Sequence, residues 1–272
     1  MEPSSGRSRK SRRGQRTRGQ SAFGLVRVGC LGLLALAAGI DFWTPGRAHA
    51  APGAVSLGGY EDESLVAGRN LTDGGQIVVG WTDSFGAGDR DAWVLKLDAN
   101  GAPEWQRTYG GPGRDEARFV ELVNTSNPAP GYLVVGVTES FGAGGEDIWV
   151  LRLDESGDVL WEKPYGGTGT DSAAMVAKER VCLQPGDPDR ESDWAIAGTT
   201  NSFGAGDFDA WLLRLDDATG DLIWSRTYGS AAFAEGANSV AATVCGEWIL
   251  GSDTATFGAA NGDFWILKLD EA

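Results

Sequence analysis

One stretch of this chain is written four times. SFGAGGEDIWVLRLDESGDVLWEKPYGG starts at Ser140, SFGAGDRDAWVLKLDANGAPEWQRTYGG at Ser84 and SFGAGDFDAWLLRLDDATGDLIWSRTYGS at Ser202. A shorter copy, TFGAANGDFWILKLDEA, starts at Thr256. Successive starts lie 56, 62 and 54 residues apart. A repeat of this length constrains the architecture more than any other feature.

One unit, taken from Pro112 to Gly167, holds four short apolar runs: Ala117–Val123, Tyr132–Val137, Ile148–Leu153 and Val159–Pro164. Turn signals separate them. In the third run Trp149, Leu151 and Leu153 alternate with Ile148, Val150 and Arg152, which is the period of a strand. Both of its faces are largely apolar, so the sheet must be covered on both sides. Asp154-Glu155-Ser156-Gly157 then suits a tight hairpin, with Gly where φ must be positive. Asp98 to Gly101 repeats this turn, and Asp216 to Gly220 repeats it with one extra residue.

A four-stranded sheet with two apolar faces cannot bury both by itself. Stacking copies around an axis would, and the expected fold is an all-β propeller of four-stranded blades. The blades fall at 62–111, 112–167, 168–230 and 231–272. Val55-Ser56-Leu57-Gly58-Gly59 aligns with Arg107-Thr108-Tyr109-Gly110-Gly111. A strand over 54–59 is therefore expected to complete the last blade and close a four-bladed ring, with a ring-completing dimer as the alternative.

The repeated unit resembles the bacterial and archaeal β-propeller repeat family found in exported proteins. Its D-x-x-G-x-x-x-W part, in Asp98–Trp105, Asp154–Trp161 and Asp216–Trp224, is similar to the docking motif of quinoprotein-type propellers. That resemblance implies blade packing by the recurring tryptophans Trp93, Trp105, Trp149, Trp161, Trp211, Trp224 and Trp265. It does not imply an activity, because propellers host many functions.

The first 50 residues are of another kind. Residues 1–27 hold eight Lys and Arg, Val28–Ile40 is uncharged and mostly apolar, and Ala48-His49-Ala50 forms an A-x-A site. This pattern reads as a secretory signal peptide cleaved near Ala50, giving a secreted or periplasmic domain over 51–272. Arg12-Arg13 stands far from the apolar run, so the choice between the general and the twin-arginine route stays open. The apolar run is short for a bilayer span, which takes about 20 residues.

Without those residues the chain carries 14 Lys and Arg (23 less 9) against 36 Asp and Glu (38 less 2), a net charge of −22. Such a surface repels nucleic acid and anionic membrane. Cys182 and Cys245 remain, and an oxidising compartment permits a disulfide between them. The one histidine, His49, leaves with the signal peptide. Ser-His-Asp and Cys-His mechanisms are then unavailable to the domain, as are His-containing zinc sites.

Carboxylates are the abundant reactive group. Asp91, Asp147, Asp209 and Asp263 recur two residues before a tryptophan, and Asp115 and Asp171 recur at the start of the first run, with Asp62 and Glu235 at or near the matching places. A circle of these on one rim offers oxygens to Ca²⁺, the one cofactor considered. An Asp that caps its own tight turn explains the same recurrence. Trp81 stands where other units have Val137, Thr199 and Ser252, and so reads as a contact residue. The insertions Asn124–Pro130 and Leu183–Asp193 read as exposed loops.

The expected function is that of an exported, non-enzymatic module that binds a protein or a glycan, or serves as a scaffold. Two readings stand beside it: a quinoprotein-like oxidoreductase or carboxylate-based hydrolase, and a self-associating structural repeat.

Overall fold

The computed structural model describes residues 56–124, 129–179, 193–243, 247–254 and 262–270, all within one compact unit, Thr44–Ala272. These residues form fifteen strands in four antiparallel sheets, taken in chain order. The first sheet holds β1 (Glu63–Asn70), β2 (Gln76–Thr82), β3 (Asp91–Leu97) and β4 (Pro103–Tyr109). The second holds β5 (Asp115–Val123), β6 (Gly131–Thr138), β7 (Asp147–Asp154) and β8 (Val159–Tyr165). The third holds β9 (Asp171–Lys178), β10 (Trp194–Thr200), β11 (Asp209–Leu215) and β12 (Leu222–Tyr228). The last has three strands, β13 (Gly236–Ala242), β14 (Trp248–Thr254) and β15 (Asp263–Leu269).

Neighbouring strands are joined as hairpins, and the turns follow from their residues. Asp98 Oδ1 accepts from the amides of Asn100 and Ala102, both at 2.8 Å. Gly101, Gly157 and Gly220 sit at φ of 82°, 84° and 68°, where a side chain would be strained. Each four-stranded sheet also carries a bulge after the same basic residue, at Lys96/Leu97, Arg152/Leu153 and Arg214/Leu215.

The core lies between sheets. Ile77, Val79, Ala92 and Val94 of the first meet Val134, Trp149 and Leu151 of the second. The opposite face of the second, with Leu133, Val135, Ile148 and Val150, meets Trp194, Ile196, Trp211 and Leu213 of the third. Ala195, Ala197 and Leu212 of the third meet Val240, Trp248 and Leu250 of the last. Period-two alternation thus gives each middle sheet two buried faces, at about 25 cal/mol per Å² of apolar surface removed from water.

Two expectations need correction. Among the described residues the sheets are not closed into a propeller or barrel. Phe264 and Ile266 on the outer face of the last sheet are 70% and 60% exposed, and Leu65 and Val66 of β1 are about half exposed. Of the strand expected over 54–59 to complete the last sheet, Ser56–Gly59 are in no strand, while 54 and 55 lie outside the described residues. Closure needs the angles between successive sheets to sum to a full turn. That sum is set by side-chain volumes at each junction, and a repeat motif does not encode it.

Strict glycine positions mark where first and second strands meet most closely. A Cβ on Gly80, Gly136 or Gly198 would come within 1.8, 1.8 and 2.1 Å of the carbonyl oxygens of Ser64, Glu116 and Ser172. These contacts sit at register shifts, at Leu65/Ala67, Ala117/Phe119 and Ala197/Gly198. Gly136→Ala is therefore expected to cost about 3 kcal/mol through forced backbone movement. Gly101→Ala meets no neighbouring atom within 4 Å and should cost about 1 kcal/mol, from the left-handed backbone alone. Thermal melts of the two variants beside the wild type test this order.

Candidate functional site

The S-F-G-A-G segments connect β2 to β3, β6 to β7 and β10 to β11. Each begins with a threonine that closes the end of a strand. Thr82, Thr138 and Thr200 each accept from the amide of the serine two residues on, at 3.0 Å. The turn then closes on its aspartate. Asp91 Oδ2 accepts from Ala87 and Gly88 at 3.0 and 3.2 Å, Asp147 from Ala143 at 2.9 Å, and Asp209 from Ala205 and Gly206 at 2.8 and 3.2 Å. Gly86, Gly142 and Gly204 take φ of 114°, 107° and 106°, and a Cβ on any of them would strike that carboxylate.

The same segment holds the following sheet. Ser140 Oγ accepts from Gly113 N at 2.9 Å and donates to Asp115 Oδ2 at 2.5 Å. Ser202 does the same with Gly169 N and Asp171 Oδ2, at 2.9 and 2.6 Å. Backbone bonds cross each junction: Asp115 N to Arg90 O at 2.8 Å, Asp171 N to Glu146 O at 2.6 Å, and Glu235 N to Phe208 O at 2.8 Å.

Buried carboxylates consequently meet in pairs. A Cβ on Gly166 would touch Asp147 Oδ1 and Asp171 Oδ2, one on Gly110 would touch Asp91 and Asp115, and one on Gly229 would touch Asp209 and Glu235. All six acids are buried, and Oδ1 of Asp115, Asp147, Asp171 and Asp209 has no hydrogen-bond partner. Burial pushes the Asp91 and Asp147 carboxyls up; turn amides pull each back, and the charge of Asp115 or Asp171 adds to the rise.

Between the first two sheets the pattern gains charge. Arg90 lies over the Trp81 ring, 3.5 Å from its centroid, and donates to Asp83 at 2.7 Å and Glu116 at 2.7 Å. Arg114 reaches Glu116 at 2.6 Å and Glu146 at 3.4 Å, and Arg118 reaches Glu146 at 3.4 Å and Ser172 at 2.5 Å. Burial raises the Glu116 carboxyl, but the hydrogen bonds and charges of the three arginines hold it below its usual range.

An aromatic row completes the rim. Phe85, Phe141 and Phe203 are 37%, 38% and 45% exposed. Each packs at a tilt on the buried Trp93, Trp149 or Trp211, with ring centroids 6.2, 5.6 and 5.4 Å apart. The inner edge of each ring lies against the diglycine ahead of its sheet, at Gly59, Gly111 and Gly167.

The residues singled out in the sequence fall as follows. Trp105 donates to Glu155 O at 3.3 Å on the next sheet's hairpin, Trp161 covers Gly220 of the following one, and Trp224 packs on the last core. Trp265 lies on β15 opposite Ser252. Trp81 is half-buried beneath Arg90 rather than a free contact surface. Asp263 opens β15, but the turn before it lies outside the described residues. So do Cys182, Cys245 and most of the two insertions. The row Phe85, Phe141, Phe203 recurs in the sequence as the second residue of each SFGAG segment. Arg90, Glu146 and Phe208 occupy one variable repeat position, so alignment of the copies exposes them as the place where the rim differs.

Among the described residues no group of three or more His, Cys, Asp or Glu is placed to hold a metal ion. Each pair offers two carboxylates where Ca²⁺ takes six to eight oxygens, and one oxygen of most is already held by amides. The melting midpoint should accordingly be equal in EDTA and in millimolar Ca²⁺; a rise of several degrees would restore the aspartates as ligands. The raised carboxyls carry a sign. The folded state binds their protons more tightly than the unfolded chain, so their contribution to stability is full below about pH 4 and is lost as pH rises through the folded value. Relative to Asp147→Asn, the wild type should thus gain melting temperature on going from pH 7 to pH 4.

No protein-family model matches the chain, and no curated protein matches it. The resemblance to exported propeller repeats and to quinoprotein docking motifs is corrected: among the described residues four antiparallel sheets are present without the closed ring that defines those families.

Proposed function

We propose that the protein is an exported, non-enzymatic binding module that engages a protein or glycan partner through its aromatic turn rim. The observation that carries this reading is the row Phe85, Phe141, Phe203. Each ring is fixed on a buried tryptophan and keeps an open side. Rings held this way lose little entropy on binding and suit the apolar face of a sugar or a flat protein surface.

Charge supports the same reading. The acidic surface favours neutral or basic partners, while Arg90, Arg114 and Arg118 are tied up in ion pairs. No helix among the described residues is long and apolar enough to cross a membrane. The buried carboxylate pairs lie beneath glycine backbone, so no observation favours the hydrolase alternative. A cleft of about 100 Å³ near Leu71, Lys96, Leu122 and Tyr132 falls short of the ~300 Å³ of ordinary ligand pockets.

The purified protein would be tested on an oligosaccharide array and, separately, against immobilised extracellular proteins. A partner found on either should lose about tenfold in affinity with Phe141→Ala or Phe203→Ala, about 1.4 kcal/mol. Binding unchanged in both variants would remove the rim from the interface.

A further inference from the structure

Building on the rim as the binding face, we infer that the partner is a basic polypeptide segment, its lysine and arginine side chains seated between the rim's phenylalanines and the carboxylates beside them. Each of the three S-F-G-A-G turns carries one such pair. Phe85 is followed four residues on by Asp89, Phe203 likewise by Asp207, and Glu139 stands two residues ahead of Phe141. All six residues are exposed. Among the described residues the side chains of Asp89, Glu139 and Asp207 make no ion pair and no hydrogen bond.

The first junction shows how this rim holds a cation. The Arg90 guanidinium lies 3.5 Å from the centroid of the Trp81 ring, forks onto Asp83 at 2.7 and 3.1 Å, and reaches Glu116 at 2.7 Å. A ring face and a carboxylate edge together replace the water that such a cation gives up. Glu139 stands in the repeat position of Asp83, but the position of Arg90 holds Glu146 in the second unit and Phe208 in the third. The second and third turns therefore present a ring and an acid and bring no arginine of their own. A cation from outside the chain completes the set.

The charge left over on the rim has one sign. Arg90, Arg114 and Arg118 are matched by three acids, Asp83, Glu116 and Glu146. Across 60–63, 82–91, 138–147 and 200–209 the sequence holds no basic residue besides Arg90. Glu61 and Asp62 add two exposed acids beside the first turn, where Glu61 N donates to Ser84 Oγ at 2.8 Å and Asp83 N to Asp62 O at 2.9 Å. Tyr60, fully exposed next to them, adds a further ring. A face of this sign draws in a basic chain and repels an acidic one. A ring and an acid recur at three successive turns, so a segment with several basic residues can engage more than one of them at once.

The probe is a labelled Lys-Arg peptide of about ten residues, titrated with the purified protein in about 0.15 M salt, which screens charges beyond about 8 Å. Fluorescence anisotropy should show saturable binding. Glu139→Gln combined with Asp207→Asn should weaken it about fivefold. Phe141→Leu combined with Phe203→Leu should weaken it by about as much, since leucine keeps the apolar area and loses the ring. Glu155→Gln combined with Glu162→Gln removes the same charge from exposed sites on the β7–β8 hairpin and should change binding less than about twofold. Absence of saturable binding, or an equal loss in the two acid pairs, would overturn the inference. So would a loss with the rim acids and none with the leucines, because the rings would then hold nothing. A neutral oligosaccharide that binds, weakens with the leucines and ignores Glu139→Gln with Asp207→Asn would overturn it as well, while leaving the rim as the binding face.

Discussion

A sheet that is apolar on both faces obliges the chain to supply a neighbour on each side. The four-fold text answers that demand, because each unit brings the face that its predecessor lacks. The junction is then fixed by more than apolar contact. One amide of each new sheet bonds a carbonyl of the preceding turn, and a buried acid gathers the turn amides at the same point. Directional bonds at the rim set the spacing, and the aliphatic and indole side chains fill it. Neither would suffice alone: apolar faces can slide, and buried polar groups are costly unless the contact excludes water around fully bonded partners.

Buried acids without a partner on one oxygen are the cost of this latch. Asp115, Asp147, Asp171 and Asp209 each commit one oxygen to the backbone, and the unbonded Oδ1 of Asp147 and Asp209 lies against Gly166 and Gly229. The glycines are therefore part of the electrostatics. Any larger residue at Gly110, Gly166 or Gly229 would displace an acid from the amides it holds. This explains why the diglycine and the aspartates recur together, and it needs no ligand.

Much of the fold was legible because period two is a local property. Trp149, Leu151 and Leu153 gave the strand, and Asp154 with Gly157 gave its hairpin. The antiparallel order within each unit followed. Ring closure was not legible, since it depends on angles that accumulate over three junctions. The burial of Arg152 was also hidden. Its alternation with leucines reads as an outward polar residue, yet its guanidinium turns along the sheet to bond the carbonyls of Leu153 and Ala129. The rim was half legible. Its aspartates stood out by recurrence, whereas the arginine network depends on Arg90, a residue special to one copy that reaches Glu116 on the next sheet, and on Arg114 and Arg118 meeting Glu146 within the second unit.

In the first two units the fourth strand reaches forward. Tyr109 donates to the carbonyl of Gly157 at 2.6 Å and Tyr165 to that of Gly220 at 2.5 Å, each gripping the hairpin of the unit downstream. Stability is therefore handed along the chain in one direction, as in other quasi-one-dimensional repeats. The third unit does not extend this grip to the last: the Tyr228 hydroxyl has no hydrogen-bond partner among the described residues. The last unit, which no such tyrosine bond holds and whose Phe264 and Ile266 face water, is where opening begins, and loss of structure travels from there toward the amino-terminal sheets.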